Sequence, residues 1–309
     1  MLFTQYLNEI ADPKRPLKRS KLTFLSGLRP AEIETLAAAW SEIPIGRRQQ
    51  IVQTMAELIE DNVELDFNEV FKKVGLRDED QEVRRLSLVG LWECEDRDLI
   101  GPLVELLHGD EAEDVRAAAA EGLGRFILLG ELKRLRPRDL ERVLTALLES
   151  VDDPDESMQV HRRAVEAIGA LNGEERVARV IEDSYQSPEN EMKASALYAM
   201  GRNCDQRWLP NILAELDSSD PELRFEAVGA CGQLEDERAV PKLVRLLADE
   251  DSQVRLGVVD ALGHIGGDVA KQALRRCLQN PDEEMRQAAE DALEELAFSK
   301  DPLSFGLGD

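Results

Sequence analysis

At 309 residues, 43% apolar and 33% charged, the chain is too balanced for disorder and long enough for two average domains or one extended array. Aromatics at 5% and only 33 glycines plus prolines argue against collagen-like, propeller and low-complexity architectures, while abundant Ala, Leu, Glu and Arg favour helix. A formal net charge of −25 repels phosphate backbones and anionic bilayers, which argues against general nucleic-acid binding.

The chain starts with a short amphipathic stretch, Leu2, Phe3, Tyr6, Leu7 and Ile10, followed by a basic run of Lys14, Arg15, Lys18, Arg19 and Lys21. Residues 1–29 hold six basic against two acidic residues, net +4, whereas the remainder holds 32 against 61. This arm is expected to fold back onto the acidic body as a cap, with polyanion binding as the alternative; peripheral membrane contact is disfavoured by the repulsion of that body. The apolar part precedes the basic part, the reverse of a secretory signal, and no run approaches the ~20 apolar residues of a membrane span. A cytoplasmic location is therefore expected. Cys94, Cys204, Cys231 and Cys277 lack CxxC spacing and read as buried reduced thiols.

From residue 30 onward the sequence repeats. Pro30 to Ser41 reads as a first helix and Arg48, leading IVQTMA, starts a second. The same pattern recurs at Val83-Arg84, Val115-Arg116, Val160-His161, Met192-Lys193, Leu223-Arg224, Val254-Arg255 and Met285-Arg286. Successive second members are separated by 32, 45, 32, 31, 31 and 31 residues. Counted from the second member, offset +3 holds Ser87, Ala119, Ala164, Ala196, Ala227, Val258 and Ala289, and offset +6 holds only Gly or Ala. Offset +7 is apolar, so −1, +3, +6 and +7 make one helical face. Gly124, Gly169, Gly201, Gly232 and Gly263 at +8 are expected near the helix end.

Upstream, apolar residues at −12 and −8 (Ile181 and Tyr185, Ile212 and Leu216, Leu243 and Leu247, Leu274 and Leu278) outline a first helix, near whose start Pro102, Pro210 and Pro241 fall. Ser187-Pro188, Asp220-Pro221 and Asn280-Pro281 read as an N-cap with proline at the first helical position. A hairpin of about 31 residues cannot bury its apolar faces alone, and stacking on like neighbours creates a continuous core. The expected fold is all-α, an α-α superhelix of about eight helical hairpins over residues 30–298, with a tail at 299–309. An insertion near 126–139 produces the 45-residue step and carries a second basic island, Lys133, Arg134, Arg136 and Arg138, expected to be a solvated helix and loop.

Early proline, an inter-helix acid, Val-Arg and Ala-Leu-Gly in register resemble the HEAT repeat, in particular the bacterial phycobilisome-lyase HEAT-like type. The resemblance implies a ladder between repeats built from an inter-helix acid and the arginine six residues on. Asp78/Arg84, Asp110/Arg116 and Asp249/Arg255 have that spacing, whereas Arg224, Arg286 and Lys193 follow neutral Ser218, Asn280 and Ser187, so a partial ladder is expected. The di-iron hydroxylases of the family carry His-Glu pairs, but His108, His161 and His264 precede Gly, Arg and Ile. Its DNA glycosylases use a basic face that this charge contradicts. No catalytic, cofactor-binding or metal-binding residue is expected, and no cofactor.

The resemblance also implies a concave face lined by the second helices, where offsets +1, +2 and +5 are free of the core. Tyr198, Phe225 and Leu256 fall there in consecutive hairpins, beside small Ser195, Gly229 and Gly257 and an acidic rim of Glu226, Asp260 and Asp291; they read as a shallow apolar trough, with cover by concave packing as the alternative. The reading is a non-enzymatic scaffold or adaptor for a protein or peptide. The alternative is a bilin-lyase-like or chaperone-like subunit acting with a second chain.

Overall fold

The computed structural model describes residues 3–300, with side chains to Phe298; Leu2 and residues 301–309 of the expected tail lie outside the described residues. Every regular element among the described residues is helical. The chain divides into two compact units, Met1–Ala167 and Ile168–Asp309.

The first unit opens with α1 (Phe3–Ala11) and α2 (Arg19–Leu22), followed by hairpins α3/α4 (Pro30–Trp40 and Ile45–Asp61), α5/α6 (Asn68–Lys73 and Gln81–Gly90), α7/α8 (Ile100–Gly109 and Glu113–Glu131) and α9/α10 (Pro137–Asp152 and Met158–Ile168). The second holds α11/α12 (Glu175–Tyr185 and Asn190–Asn203), α13/α14 (Leu209–Glu215 and Pro221–Leu234), α15/α16 (Val240–Leu246 and Ser252–Ile265) and α17/α18 (Gly267–Cys277 and Glu283–Lys300). These are the eight hairpins the repeat implies. The 45-residue step is absorbed by a long α8, a turn at 132–136 and a long α9. Within unit 1 the second helices α4, α6 and α8 pack in succession; within unit 2, α12, α14, α16 and α18 do the same.

The second-helix register has a direct physical basis. All seven +3 residues are fully buried, and Val83, Val115, Val160 and Val254 at −1 are too. Gly124, Gly201, Gly232 and Gly263 at +8 lie inside their helices rather than ending them, and Gly169 directly follows α10. A Cβ on Gly124 would lie 3.1 Å from the Ala167 Cα, one on Gly169 2.8 Å from the Ala199 Cα, one on Gly201 2.8 Å from the Ala230 Cα and one on Gly232 3.1 Å from the Ala261 Cα. Each +8 glycine thus meets the +6 alanine of the following second helix, and its missing side chain sets the backbone-to-backbone approach. The left-handed caps of α12 and α14 fall instead on Cys204 (φ 54°) and Glu235 (φ 51°).

Helix starts also depart from the sequence reading. The N-cap sits four residues before the basic position, as in Asp220, which accepts from the Glu222 N–H at 3.0 Å, and Asp251, which accepts from Gln253 at 2.8 Å. Asp220-Pro221 is therefore a true cap and proline pair, whereas Ser187-Pro188 and Asn280-Pro281 lie in the turn ahead of the caps Glu189 and Asp282. At −8 burial is uneven: Leu216 is buried but Leu278 is exposed, because this edge of the first helix points partly to solvent.

Candidate protein-interaction surface

The arginines at the basic position bond from one hairpin to the next, with a connectivity that differs from the six-residue pairing and from the partial ladder it implied. Arg84 donates Nη1 to the Asp78 backbone carbonyl at 2.8 Å, and Nε and Nη2 to the Asp110 carboxylate of the following hairpin, both at 2.7 Å. Arg224 repeats this with the Ser218 carbonyl at 2.9 Å and Asp249 at 2.8 Å twice. Arg116 donates to the Asp110 carbonyl at 2.8 Å and to Glu156 at 2.9 and 2.8 Å. The residue six back supplies only a carbonyl, so the neutral Ser218 costs its rung nothing; the carboxylate comes from the next turn. Arg255 and Arg286 keep the carbonyl bond, to Asp249 at 2.8 Å and Asn280 at 2.7 Å; Arg255 stands 3.9 Å from Asp282, and Arg286 pairs with Glu283.

Two further rungs, and the acid that completes the Arg116 rung, were not legible in the sequence. Asp78 accepts both Arg48 Nη1 contacts at 2.9 Å and the Trp40 indole N–H at 2.5 Å, making a buried rung in the first hairpin pair. Glu156, the acid that Arg116 meets, stands five rather than six residues before His161 and so falls out of register. Lys193 stands 3.9 Å from Glu215 and 5.5 Å from the Tyr185 ring centroid, while Tyr185 donates its hydroxyl to Glu215 at 2.8 Å. Burial first, and Glu215 second, push the Tyr185 hydroxyl up to about 12.

Among these structural contacts, one face of unit 2 stands apart. Tyr198 on α12 is 39% exposed and Phe225 on α14 is 42% exposed, while Leu256 on α16 is half-buried. A Cβ on Gly257 would lie 3.6 Å from Phe225 Cε2, so the ring rests against the small residue of the next second helix. Gly229 has nothing within 4 Å of its Cβ position and leaves the surface beside Phe225 open. Ser195, expected to flank this surface, is buried in α12. Of the acidic rim, Asp260 is exposed, 3.4 Å from His264 Nδ1; Asp291 is exposed and accepts from Gln287 at 2.9 Å; Glu226 is half-buried. In unit 1, Ala117 at the corresponding offset is buried, Arg85 is held by Glu82 at 2.7 Å, and Val89 is exposed. Trp92, 57% exposed just beyond α6, was missed; tryptophan where other hairpins carry glycine is the signal.

The basic islands are placed separately. Tyr6, Leu7 and Ile10 are buried, and the Tyr6 hydroxyl donates to the Lys21 carbonyl at 2.8 Å. Arg19 pairs with Glu57 at 3.3 Å and with Asp61, Lys21 with Glu9 at 3.4 Å and Arg15 with Asp12 at 3.2 Å; Lys14 and Lys18 are exposed. In the second island Arg134 pairs with Glu95 at 2.7 Å, Lys133 holds a left-handed turn (φ 60°), and Arg136 and Arg138 flank the start of α9, exposed.

His108 is exposed, with Nε2 3.1 Å from the Ala146 carbonyl oxygen, and His161 places Nε2 2.8 Å from that of Asp153, so both serve hairpin contacts. Cys94, Cys231 and Cys277 are buried; burial pushes the Cys231 thiol up to about 12. Cys204, expected to be buried, is exposed because it occupies the left-handed cap of α12. Among the described residues no group of three or more His, Cys, Asp or Glu side chains could hold a metal ion, and no helix is long and apolar enough to cross a membrane.

Comparison with solved structures agrees with the repeat geometry. A structure of Kap95p binding RanGDP is similar with a TM-score of 0.54 at 14% identity, over 98% of this chain and 47% of that one. The complex of CpcE and CpcF of phycocyanin lyase from Nostoc sp. PCC7120 gives 0.53 at 15%, over 93% and 97%. Importin beta gives 0.51 at 13%, over 98% and 47%, so this chain spans about half the length of the two larger proteins. At these identities the likeness is one of fold, an all-α repeat solenoid. No curated protein sequence matches significantly. The model of HEAT repeats matches residues 69–157 and 209–294, more than half of the sequence, and the chain belongs to that family.

Proposed function

We propose that the protein is a non-enzymatic scaffold or adaptor that binds a protein or peptide across the second-helix face of unit 2. The observation that carries this reading is the pair of large aromatics, Tyr198 and Phe225, left exposed on consecutive second helices above the open Gly229. Aromatic side chains that are accessible, backed by packed neighbours and rimmed by charge are the usual anchors of an interface. Glu226, Asp260 and Asp291 give the surface an acidic border that favours a partner with basic flanks.

The test starts with co-purification from native extract and identification of what is retained by mass spectrometry. With the recovered partner, Phe225→Ala is expected to weaken binding by about 1–3 kcal/mol. Its folding should survive, since a ring 42% exposed loses less on truncation than the roughly 3–5 kcal/mol of a fully buried phenylalanine. Loss of stability with unchanged affinity in the folded fraction would assign Phe225 to packing and remove the surface. A recovered phycobiliprotein would instead favour a lyase-like subunit acting with a second chain.

A further inference from the structure

We propose that the cavity between α1, the basic run and the start of α4 binds a small phosphate-bearing ligand. The cavity measures about 230 Å³ and is lined by Arg15, Lys18, Lys21 and Arg47 together with one carboxylate, Glu9. In a chain of net charge −25 this is a concentration of four cations around one recess. Arg47 is the central group. It is 4% exposed, its Nη2 donates to the Asp12 and Arg15 carbonyls that shape the turn after α1, and its Nη1 donates to Gln50 Oε1 at 3.3 Å. Its Nε is buried and has no acceptor in the protein. That Nε is closed off from the recess, so Arg47 offers an anion there its unneutralised charge rather than a free donor.

The charge count selects the ligand class. Glu9 stands 3.4 Å from Lys21 and Asp12 stands 3.2 Å from Arg15, which offsets two of the cations, but Lys18 and Arg47 have no carboxylate of their own at the cavity. A phosphate dianion matches that remainder better than a single carboxylate, and guanidinium with ammonium donors is the usual phosphate-binding set. The acidic body repels extended polyanionic surfaces, whereas a recess of this size admits a small phosphorylated molecule.

The test is calorimetric titration of the full-length chain with inorganic phosphate and with pyrophosphate, at constant ionic strength in sodium chloride. Saturable one-site binding is expected, with a ligand-dependent rise in unfolding temperature. Lys18→Glu should weaken it by about tenfold or more, as loss of one charge-assisted contact implies. Lys14→Glu makes the same charge change in the same run but outside the cavity lining, and should weaken binding clearly less than Lys18→Glu, because a charge without a direct contact acts only through screened solvent. Both lysines are exposed, so neither substitution removes a core contact. Absence of saturable binding, or equal weakening in the two variants, overturns the site. A parallel sedimentation with vesicles containing an anionic phospholipid covers the other source of phosphate. Vesicle binding that both variants weaken alike, without binding of the free anions, also overturns it and assigns the run to a membrane surface.

Discussion

At Arg224 the guanidinium side chain is 8% exposed and its charge is met by Asp249, itself 6% exposed, through two hydrogen bonds of 2.8 Å. Removing the acid leaves a buried cation unpaired, so Asp249→Ala is expected to cost about 3 kcal/mol in urea unfolding. Ser218→Ala should cost under about 1 kcal/mol, because Arg224 uses only the Ser218 carbonyl and the hydroxyl makes a single bond, 3.3 Å from the Asp220 N–H. Equal losses in the two variants would restore the six-residue pairing. The same rung predicts pH dependence. Hydrogen bonding from Arg224 holds the Asp249 carboxyl below its usual range against the upward push of burial; at Asp110 burial pushes up more strongly, yet bonds from Arg84 and the Ala112 N–H bring it below as well. A carboxylate with a lowered folded pKa contributes stability that is complete above its unfolded value, about 3.9, and is lost as pH falls through the folded one. Unfolding free energy should therefore decline below about pH 4, less steeply in Asp249→Ala. The six-residue spacing was readable in the sequence, but the direction of the rung was not. One inter-helix residue gives its carbonyl to the arginine of its own hairpin and its side chain to the arginine before, and a linear register cannot separate those roles.

Between helices, the most demanding contacts are those of glycine on alanine. The periodicity of small residues was enough to predict helical hairpins, their number and their buried face, because burial at +3 and +7 is dictated by the 3.6-residue repeat. It was not enough to say what the +8 glycines do, since glycine serves equally as a left-handed cap or as a point of close approach. Gly201 and Gly229 now separate these physical effects. A Cβ on Gly201 falls 2.8 Å from the Ala230 Cα and 3.1 Å from its Cβ, so Gly201→Ala forces α12 and α14 apart and should destabilise by about 1–3 kcal/mol. Gly229 lies inside α14 with open space around it, so Gly229→Ala should stabilise by about 0.5–1 kcal/mol through helix propensity alone. Thermal unfolding of the two variants checks this; shifts of the same sign would remove the close-approach explanation. The same limit explains Trp92 and Ser195: offset identifies the helical face, but whether a neighbouring helix reaches far enough to cover a given position depends on the local stacking distance.

For the molecule as a whole, the most distinctive feature is the reversal of charge between residues 1–29 and the array, which the sequence displays plainly. What it could not show is where the positive charge goes. Arg19 reaches Glu57 and Asp61 on α4, and Lys21 reaches Glu9 within the arm itself. These pairs are exposed or half-exposed and contribute at most about 1 kcal/mol each. Apolar burial contributes more: Tyr6, Leu7 and Ile10 are 5%, 2% and 3% exposed, and burial of each such side chain is worth about 1.5–3 kcal/mol. Because α1 packs on α3 and α2 on α4, the arm covers an end of the first hairpin that would otherwise meet water. Deletion of residues 1–21 is therefore expected to lower the urea midpoint, as is the single substitution Leu7→Asp, which leaves the basic run intact. High salt screens the ion pairs but not the apolar contacts, so most of the difference from the full-length chain should persist there. A truncated protein that unfolds like the full chain would reverse this account and make the segment a free tail, while a difference that vanishes in high salt would transfer its stabilisation from Leu7 and Ile10 to the arginine and lysine pairs.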